Sequence, residues 1–453
     1  MRGLLPWIAL GLVGAAACGG DDLTFAPAAD AGGTHDATTG GPSPGDAGGV
    51  PDAPGADATL HTGNCYGTAY DAWVADPKMC VYSFAENLGA ARQIAFSPSG
   101  DLFVNNGTIT VLWDADGNGT SDLSERDQFA AAPGLNHGLA FSRDGAYVYA
   151  SSATDVYRWG YTPGMRVAVG PMESVISGIP SGGHVTRTLA LDGKGRLIVT
   201  IGSGTNVDST QELWDTRGQI RRFTLPATLP AGGVDWSAGE IIARGMRNEV
   251  GIFVDSTDAL WAVENGRDDL SDPNFGGDIH TDNPAEEINR IDGVGTVFFG
   301  YPLCYTEWKI DGGGGPGAQW ADKTLDPSIM KTDDWCKDAG NVRAPAFAMQ
   351  AHWAPLSIVL YTGTSLPFAG DLILSAHGSW DRAIPVGRVL ARAHLQNGSI
   401  VSVDPIVGEK TANGLAQGSW EARPVDVKQG PDQAIYFSDD QGGRVFKVGY
   451  RAP

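Results

Sequence analysis

One short unit recurs along this chain, and it limits the folds available to it. In its fullest copy, residues 182–200, a polar loop holding His184 and Arg187 leads into Leu189-Ala190-Leu191. The turn Asp192-Gly193-Lys194-Gly195 follows, and then the β-forming run Leu197-Ile198-Val199. Alternating apolar residues around an Asp-Gly turn read as paired strands. The pattern returns at Arg92–Phe96 leading to Leu102–Val104, and at His137–Phe141 leading to Tyr147–Tyr149. It recurs at Asn248–Ile252 leading to Leu260–Val263, in degenerate form at Pro355–Ile358 leading to Leu372–Leu374, and at Arg423–Val427 leading to Ile435–Phe437. Most copies are followed by a further strand, such as Asp155–Trp159. A sandwich does not repeat one motif in this way. Several short strands per unit at blade-like spacing describe an all-β, six-bladed β-propeller. The two longest gaps between copies place insertions at Pro226–Ser237 and Asp311–Gly340, and the second is long enough to hide a seventh blade.

In a propeller the first strand of each blade lines the central channel, so equivalent positions at its start converge on one mouth. Here they are Arg92, His137, Arg187, Asn248 and Arg423, with His184, Arg247 and His352 close by. The chain as a whole carries a net charge of −22, which argues against nucleic acid and anionic membrane surfaces as partners. A cationic ring in so acidic a chain predicts a mouth that binds a small anion.

The amino terminus reads as an export signal. Met1-Arg2 and the apolar run Leu4–Ala17 are too short for a membrane span, and Ala15-Ala16-Ala17-Cys18 fits a bacterial lipoprotein signal. The expected organisation is a signal peptide over 1–17, a lipid anchor on Cys18 as the only membrane attachment, a disordered low-complexity tether over 18–62, and the propeller over 63–453. Location would be periplasmic or on the outer membrane. The four remaining cysteines suit two disulfides in an exported chain, and local loops favour Cys65–Cys80 and Cys304–Cys336.

Asp114-Ala-Asp-Gly-Asn-Gly-Thr-Ser-Asp-Leu-Ser-Glu125 fits a twelve-residue calcium loop, with Asp114, Asp116, Asn118, Asp122 and Glu125 at ligand positions. The strand reading of Thr108–Trp113 makes this a hairpin tip, a structural site away from the chemistry.

Several further stretches share one order with a known family: Gly183-His184-Val185-Thr186-Arg187, Ala243-Arg244-Gly245-Met246-Arg247-Asn248, Glu264-Asn265-Gly266-Arg267-Asp268, Glu286-Glu287-Ile288-Asn289, Ala351-His352-Trp353, His377-Gly378-Ser379-Trp380-Asp381-Arg382 and Arg423-Pro424-Val425-Asp426. With the propeller repeat, the chain over roughly Arg92–Tyr450 resembles the soluble aldose and sorbosone dehydrogenases that use pyrroloquinoline quinone (PQQ). That resemblance implies that His184 is the general base for a sugar hydroxyl while hydride passes to the quinone, a task suited to imidazole. His137 and His352 are rival bases. Arg247 and Asn248 match the pair beside the quinone carbonyl, where a fixed cation stabilises developing negative charge. Gly266 and Arg267 match positions whose backbone carbonyls hold a calcium ion at the cofactor. The cofactor's carboxylates would meet Arg423 first, with Arg92, Arg187, His377 and Arg382 as further contacts. The chain departs from the family's glucose dehydrogenases at Ser203, where they carry an Asp that orients the base, and in lacking their lysine near His377; Asn206 or Asp208 is the expected substitute for the Asp.

The resulting expectation is a quinoprotein that oxidises an aldose or sugar aldehyde of the sorbosone type and passes electrons to a respiratory acceptor. Two alternatives stand beside it: a calcium-dependent, lactonase-like propeller hydrolase, which needs converging acidic and Asn ligands in the channel, and a non-catalytic propeller that binds a sugar or a partner. No glycine-rich dinucleotide loop opens a helix, which disfavours nicotinamide and flavin enzymes.

Overall fold

Strand one of every blade but the fifth is followed by a four-residue turn that returns the chain along strand two. The computed structural model describes residues 65–292 and 295–451. In it the amide of the fourth turn residue donates to the carbonyl of the first at Ser97–Gly100, Ser142–Gly145, Asp192–Gly195, Asp255–Asp258 and Gly430–Gln433. The fourth residue has φ of +94°, +69°, +74°, +69° and +65° in turn, a left-handed conformation that glycine adopts freely and Asp tolerates better than most. The Asp-Gly signals in the sequence are therefore one repeated backbone device. The degenerate fifth copy replaces it with a longer loop between Leu360 and Leu372.

Six blades result, each with four antiparallel strands at its centre, beside two small two-stranded sheets. Blade one is Ile94–Phe96, Leu102–Asn105, Ile109–Leu112 and Arg126–Ala130. Blade two is Leu135–Phe141, Tyr147–Ser152, Val156–Gly160 and Glu173–Ser177. Blade three is Leu189–Leu191, Leu197–Ile201, Gln219–Phe223 and Glu240–Arg244. Blade four is Asn248–Val254, Leu260–Asn265, Glu286–Ile291 and Phe347–Met349. Blade five is Pro355–Leu360, Leu372–Ala376, Val389–Gln396 and Ser399–Thr411. Blade six takes Pro424–Gln429, Ile435–Asp439 and Arg444–Tyr450 from the C-terminal end and its fourth strand, Met79–Ala85, from the N-terminal end. First strands of successive blades meet around a closed ring, so their ends do converge.

The closing strand pairs Cys80 with Gly449 and Val81 with Val448, and Cys65–Cys80 ties the preceding segment to it. Trp73–Val74 adds to the edge of blade five, bridging the seam a second time. Between blades the core is apolar and aromatic. Phe103, Phe129, Phe141 and Tyr161 meet edge-on between blades one and two, with ring centroids 5.0–6.2 Å apart. Each such buried side chain contributes about 1.5–3 kcal/mol.

Among the described residues the second long gap holds no seventh blade. Blade four spans it, and the insertion forms a hairpin, Cys304–Thr306 with Gln319–Ala321, and the short helix Asp333–Lys337. Cys304–Cys336 joins the two, with Cα atoms 5.8 Å apart. The insertion at 226–237 returns to pair Val234–Asp235 with the edge of blade two. The signal peptide, the anchor on Cys18 and the tether expected over 18–62 all lie outside the described residues.

Candidate active site at the channel mouth

His184 sits on a loop that enters blade three, and two glycines determine where its ring goes. Gly183 has φ +58°, and a Cβ there would lie 2.4 Å from the Ser203 carbonyl, which accepts from the His184 amide at 3.0 Å. A Cβ on Gly202 would lie 2.4 Å from Asn248 Oδ1 and 2.7 Å from His184 Cβ, so the two side chains flank a bare backbone.

His184 Nδ1 lies 3.0 Å from Ser203 Oγ and 3.2 Å from the Ser203 carbonyl oxygen. The single proton of the buried Ser203 hydroxyl is donated to the Thr205 carbonyl at 2.6 Å. Both atoms facing Nδ1 are then acceptors, so Nδ1 carries the ring proton and Nε2 presents a lone pair. Ser203 itself takes the place expected for Asn206 or Asp208, and both of those are committed elsewhere. Asp208 accepts from the amides of Gly204 and Thr205, and Asn206 spans the backbone of Asp268.

Arg187 corrects an expectation. Its side chain is fully buried and binds no mouth ligand; it donates to the carbonyls of His184 and Thr186 at 2.7 Å and of Pro180 at 2.9 Å. Desolvation, with nearby Arg217 second, pushes the guanidinium down to about 9. Arg217 donates to the Ser181 carbonyl of the same loop. Two buried guanidinium groups thus gather the carbonyls of 180–186 and hold His184 from behind.

Arg247 and Asn248 open blade four. Arg247 pairs with Asp268 Oδ2 at 2.6 Å and donates to the carbonyls of Gly266 at 2.7 Å and Asn206 at 3.2 Å. A Cβ on Gly266 would meet Pro284 Cγ at 2.7 Å, so glycine is required, and its amide donates to Glu286. Burial pushes the Glu286 carboxyl up to about 7, against two backbone donors that lower it. Arg267 turns its own side chain away, onto Asp322 and Thr324.

The third group hangs on Asp440, which sequence reasoning did not single out. Its carboxylate accepts from Arg92 at 2.6 Å and from His377 Nε2 at 2.9 Å, and Arg423 donates to the His377 carbonyl at 3.1 Å. Arg92 and Arg423 stand where blades one and six begin, while His377 and Asp440 follow strand two of blades five and six. Against desolvation, the largest influence, His377 and Arg92 hold Asp440 far below the usual carboxylate range. His137 is buried and accepts from Arg92 Nε at 3.3 Å; burial, then Arg92, holds it well below its ordinary value. Enclosed, and with Nδ1 taken up by Arg92, this ring is out of a substrate's reach and does not serve as the rival base. His352 Nε2 donates to the His280 carbonyl at 2.5 Å, which spends that nitrogen. Arg382 pairs with Asp282 at 3.1 Å.

For an anionic quinone, Arg92, Arg247 and Arg423 supply cations from separate blades, with the His377 ring beside Arg92 on Asp440. For calcium, Gly266 retains one carbonyl lone pair beside Arg247, and Asp268, His352 and Asp381 bring ligand atoms within 4.8 Å of one another. Both fits rest on donor chemistry. Asp268 and Asp381 lie within the family-like stretches 264–268 and 377–382, but nothing in the sequence says that they meet. The hairpin expected to hold a second calcium joins strands three and four of blade one, and Asp114, Asp116 and Glu125 converge within 4.8 Å. Asn118 Oδ1 turns inward onto Thr120 at 2.8 Å, and the Asp122 amide donates to Glu125 at 3.1 Å.

Fold and mouth together define a six-bladed propeller whose channel end gathers an oriented histidine, arginines and oxygen donors. The family description "TrAA12-like" matches residues 74–451, and the chain belongs to that family. It is 31% identical over 394 residues, 79% of this chain and 85% of the relative, to the pyrroloquinoline quinone-dependent sugar dehydrogenase of Hypocrea jecorina. A pyrroloquinoline quinone-dependent pyranose dehydrogenase of Coprinopsis cinerea is 30% identical, and this chain spans 46% of its length. Among solved structures, the calcium structure of the Trichoderma reesei family AA12 enzyme aligns with TM-score 0.73 and 29% identity, over 84% of this chain and 98% of that one. The holo form of the Coprinopsis cinerea pyranose dehydrogenase PQQ domain aligns with TM-score 0.73 and 26% identity, over 84% and 97%.

Proposed function

We propose that this chain is a PQQ-dependent sugar dehydrogenase that oxidises an aldose or a sorbosone-like sugar aldehyde. The observation that carries the reading is the His184–Ser203 pair at a mouth lined by Arg247, Asn248 and Arg423, in a chain of this family. When bound, the quinone supplies a two-electron acceptor for hydride. His184 Nε2 accepts the proton of the hydroxyl on the oxidised carbon, which an aldose offers as its hemiacetal and an aldehyde as its hydrate, so C–H and O–H bonds break as a C=O bond forms. Ser203 keeps the ring in the accepting tautomer, and the imidazolium that forms donates through Nδ1 to the same two oxygens. Arg247, fixed by Asp268, offers a cation to negative charge developing on the cofactor side. Arg423 binds cofactor carboxylate, and Arg92 and His377, shared with Asp440, reinforce it.

Gly266 with the Asp268 group is assigned to calcium at the cofactor, acting as a Lewis acid. The Asp114–Glu125 hairpin is assigned to a second, structural calcium. We further read the enzyme as exported, tethered through Cys18 at the periplasmic face or outer membrane, and delivering electrons to a respiratory acceptor.

Reconstitution tests this. The chain without its first sixty-two residues is mixed with PQQ and calcium, and dye reduction is followed with a panel of aldoses and ketoaldehydes. Turnover requiring PQQ and abolished in His184→Ala supports the reading; absence of quinone binding overturns it.

A further inference from the structure

The connection between strands two and three of blade three, residues 202–218, starts beside His184 and ends in a cleft that the chemistry above does not use. There the helix Gln211–Thr216 faces the blade-four insertion across about 340 Å³, a volume in the range of small-molecule sites and open to solvent on one side. None of His184, Arg247, Asn248 or Arg423 lines it. Gly245, with φ +77°, lets the walls approach, since a Cβ there would run into the Phe298 ring.

The walls are aromatic. Trp214 comes from the helix, and Phe298 and Trp335 from the insertion, with ring centroids 6.4 Å apart. All three are only partly buried. Three cations share the cleft. Arg217 is 5% exposed; its Nη2 donates to the Ser181 carbonyl, and its Nη1 has no hydrogen-bond partner. Arg244 lies 5.9 Å from the Phe298 centroid and Lys331 5.2 Å from that of Trp335, and among the described residues neither forms an ion pair. The acids beside them are occupied. Asp208 accepts from the amides of Gly204 at 3.1 Å and Thr205 at 2.8 Å, and Asp215 accepts from Gln211 at 2.9 Å. A buried guanidinium N–H without an acceptor is costly, and a charged acceptor is its strongest partner.

We propose that this cleft is a second ligand site, for a pyranose ring that carries a carboxylate, as a uronic acid does. The carboxylate would take Nη1 of Arg217, with Arg244 and Lys331 adding positive charge in a chain of net charge −22. The C–H face of the ring would lie on the indoles as an apolar contact. Ring hydroxyls would donate to the Asp215 carboxylate and to Asn341, which spends its Nδ2 on the Trp335 carbonyl at 3.2 Å and keeps its oxygen as an acceptor. A neutral sugar would leave the guanidinium unpaired, and an aromatic acid would leave the hydroxyl acceptors unpaired. Because Arg217 also holds Ser181, an occupant would share the guanidinium that braces the His184 loop. The inference stands independently of the quinone reading.

The test titrates the full chain, without added quinone, with glucuronate, glucose and benzoate by calorimetry at low salt. The expected result is one equivalent of glucuronate bound about tenfold or more tightly than either control. Arg244→Glu/Lys331→Glu should weaken that binding about tenfold or more, and Trp335→Ala should weaken it as well, whereas Arg423→Ala at the mouth should leave it unchanged. Should the double reversal fail to fold, single Lys331→Glu replaces it, since Lys331 is a partly exposed side chain. Three results would each overturn the proposal: no binding of glucuronate, equal binding of glucose or benzoate, or binding that is lost in Arg423→Ala and kept in the cleft variants.

Discussion

His184 Nδ1 lies 3.0 Å from the hydroxyl of Ser203, a neutral group that orients a base without lending it charge. His184→Ala should lower kcat by roughly 10²–10⁴-fold, as loss of a general base does, with PQQ affinity kept. Ser203→Asp should move the acid limb of the kcat/KM profile to higher pH. A carboxylate at Nδ1 stabilises the imidazolium, so activity is lost sooner as pH falls. Ser203→Ala, which keeps the backbone acceptor, should leave the acid limb in place. A pH–rate profile of the three variants checks this.

Glu286 links pH to stability. Its carboxyl is raised to about 7 from an unfolded value of 4.5, so between these values the folded chain binds more proton than the unfolded one. Stability from this group is therefore present in full below pH ~4.5 and is lost as pH rises through ~7. The shift is worth at most about 3 kcal/mol. Glu286→Gln should remove that part of the slope, read as the difference in denaturant midpoint between the variant and wild type from acid to neutral pH.

Arg423→Ala should weaken PQQ binding by roughly 10–100-fold, the scale of one charge-assisted hydrogen bond lost. Arg187→Met, by contrast, should leave PQQ affinity near wild type while lowering kcat and melting temperature, because Arg187 holds the His184 loop and does not face the cofactor. Quinone titration by fluorescence beside steady-state kinetics separates the two.

Reducing Cys304–Cys336 should destabilise the chain by about 2–4 kcal/mol, since it closes a 32-residue separation across the blade-four insertion. Cys304→Ser/Cys336→Ser should lower the melting temperature accordingly, and reductant should lower that of wild type at least as far, since it also opens Cys65–Cys80.

Local signals in the chain determined the repeat. A turn that needs a left-handed residue writes Gly or Asp at a constant place, as at Gly100, Gly145, Gly195 and Asp258, and strand pairing within a blade is between neighbours in sequence. The disulfides followed from an even cysteine count and the short loops each pair closes, while the number of blades, the convergence of strand starts and both insertions followed from the repeat. So did the cluster of His184, Arg247 and Asn248, since each stands where a first strand begins. Other features depend on contacts between residues far apart in sequence. Met79–Ala85 completes blade six only because ring closure brings its two ends together, and nothing in either segment announces the partner. Arg92 meets Asp440 across 348 positions, so no spacing rule could link them. Arg187 begins a strand as the ring reading requires, yet its side chain runs inward to the carbonyls of its own loop; sequence places a residue at a mouth but does not say where a long side chain finds its acceptors. Glu249, Glu264 and Glu287 read as three ordinary acids until strand register set them side by side inside one blade, where burial raises all three carboxyls above their ordinary value.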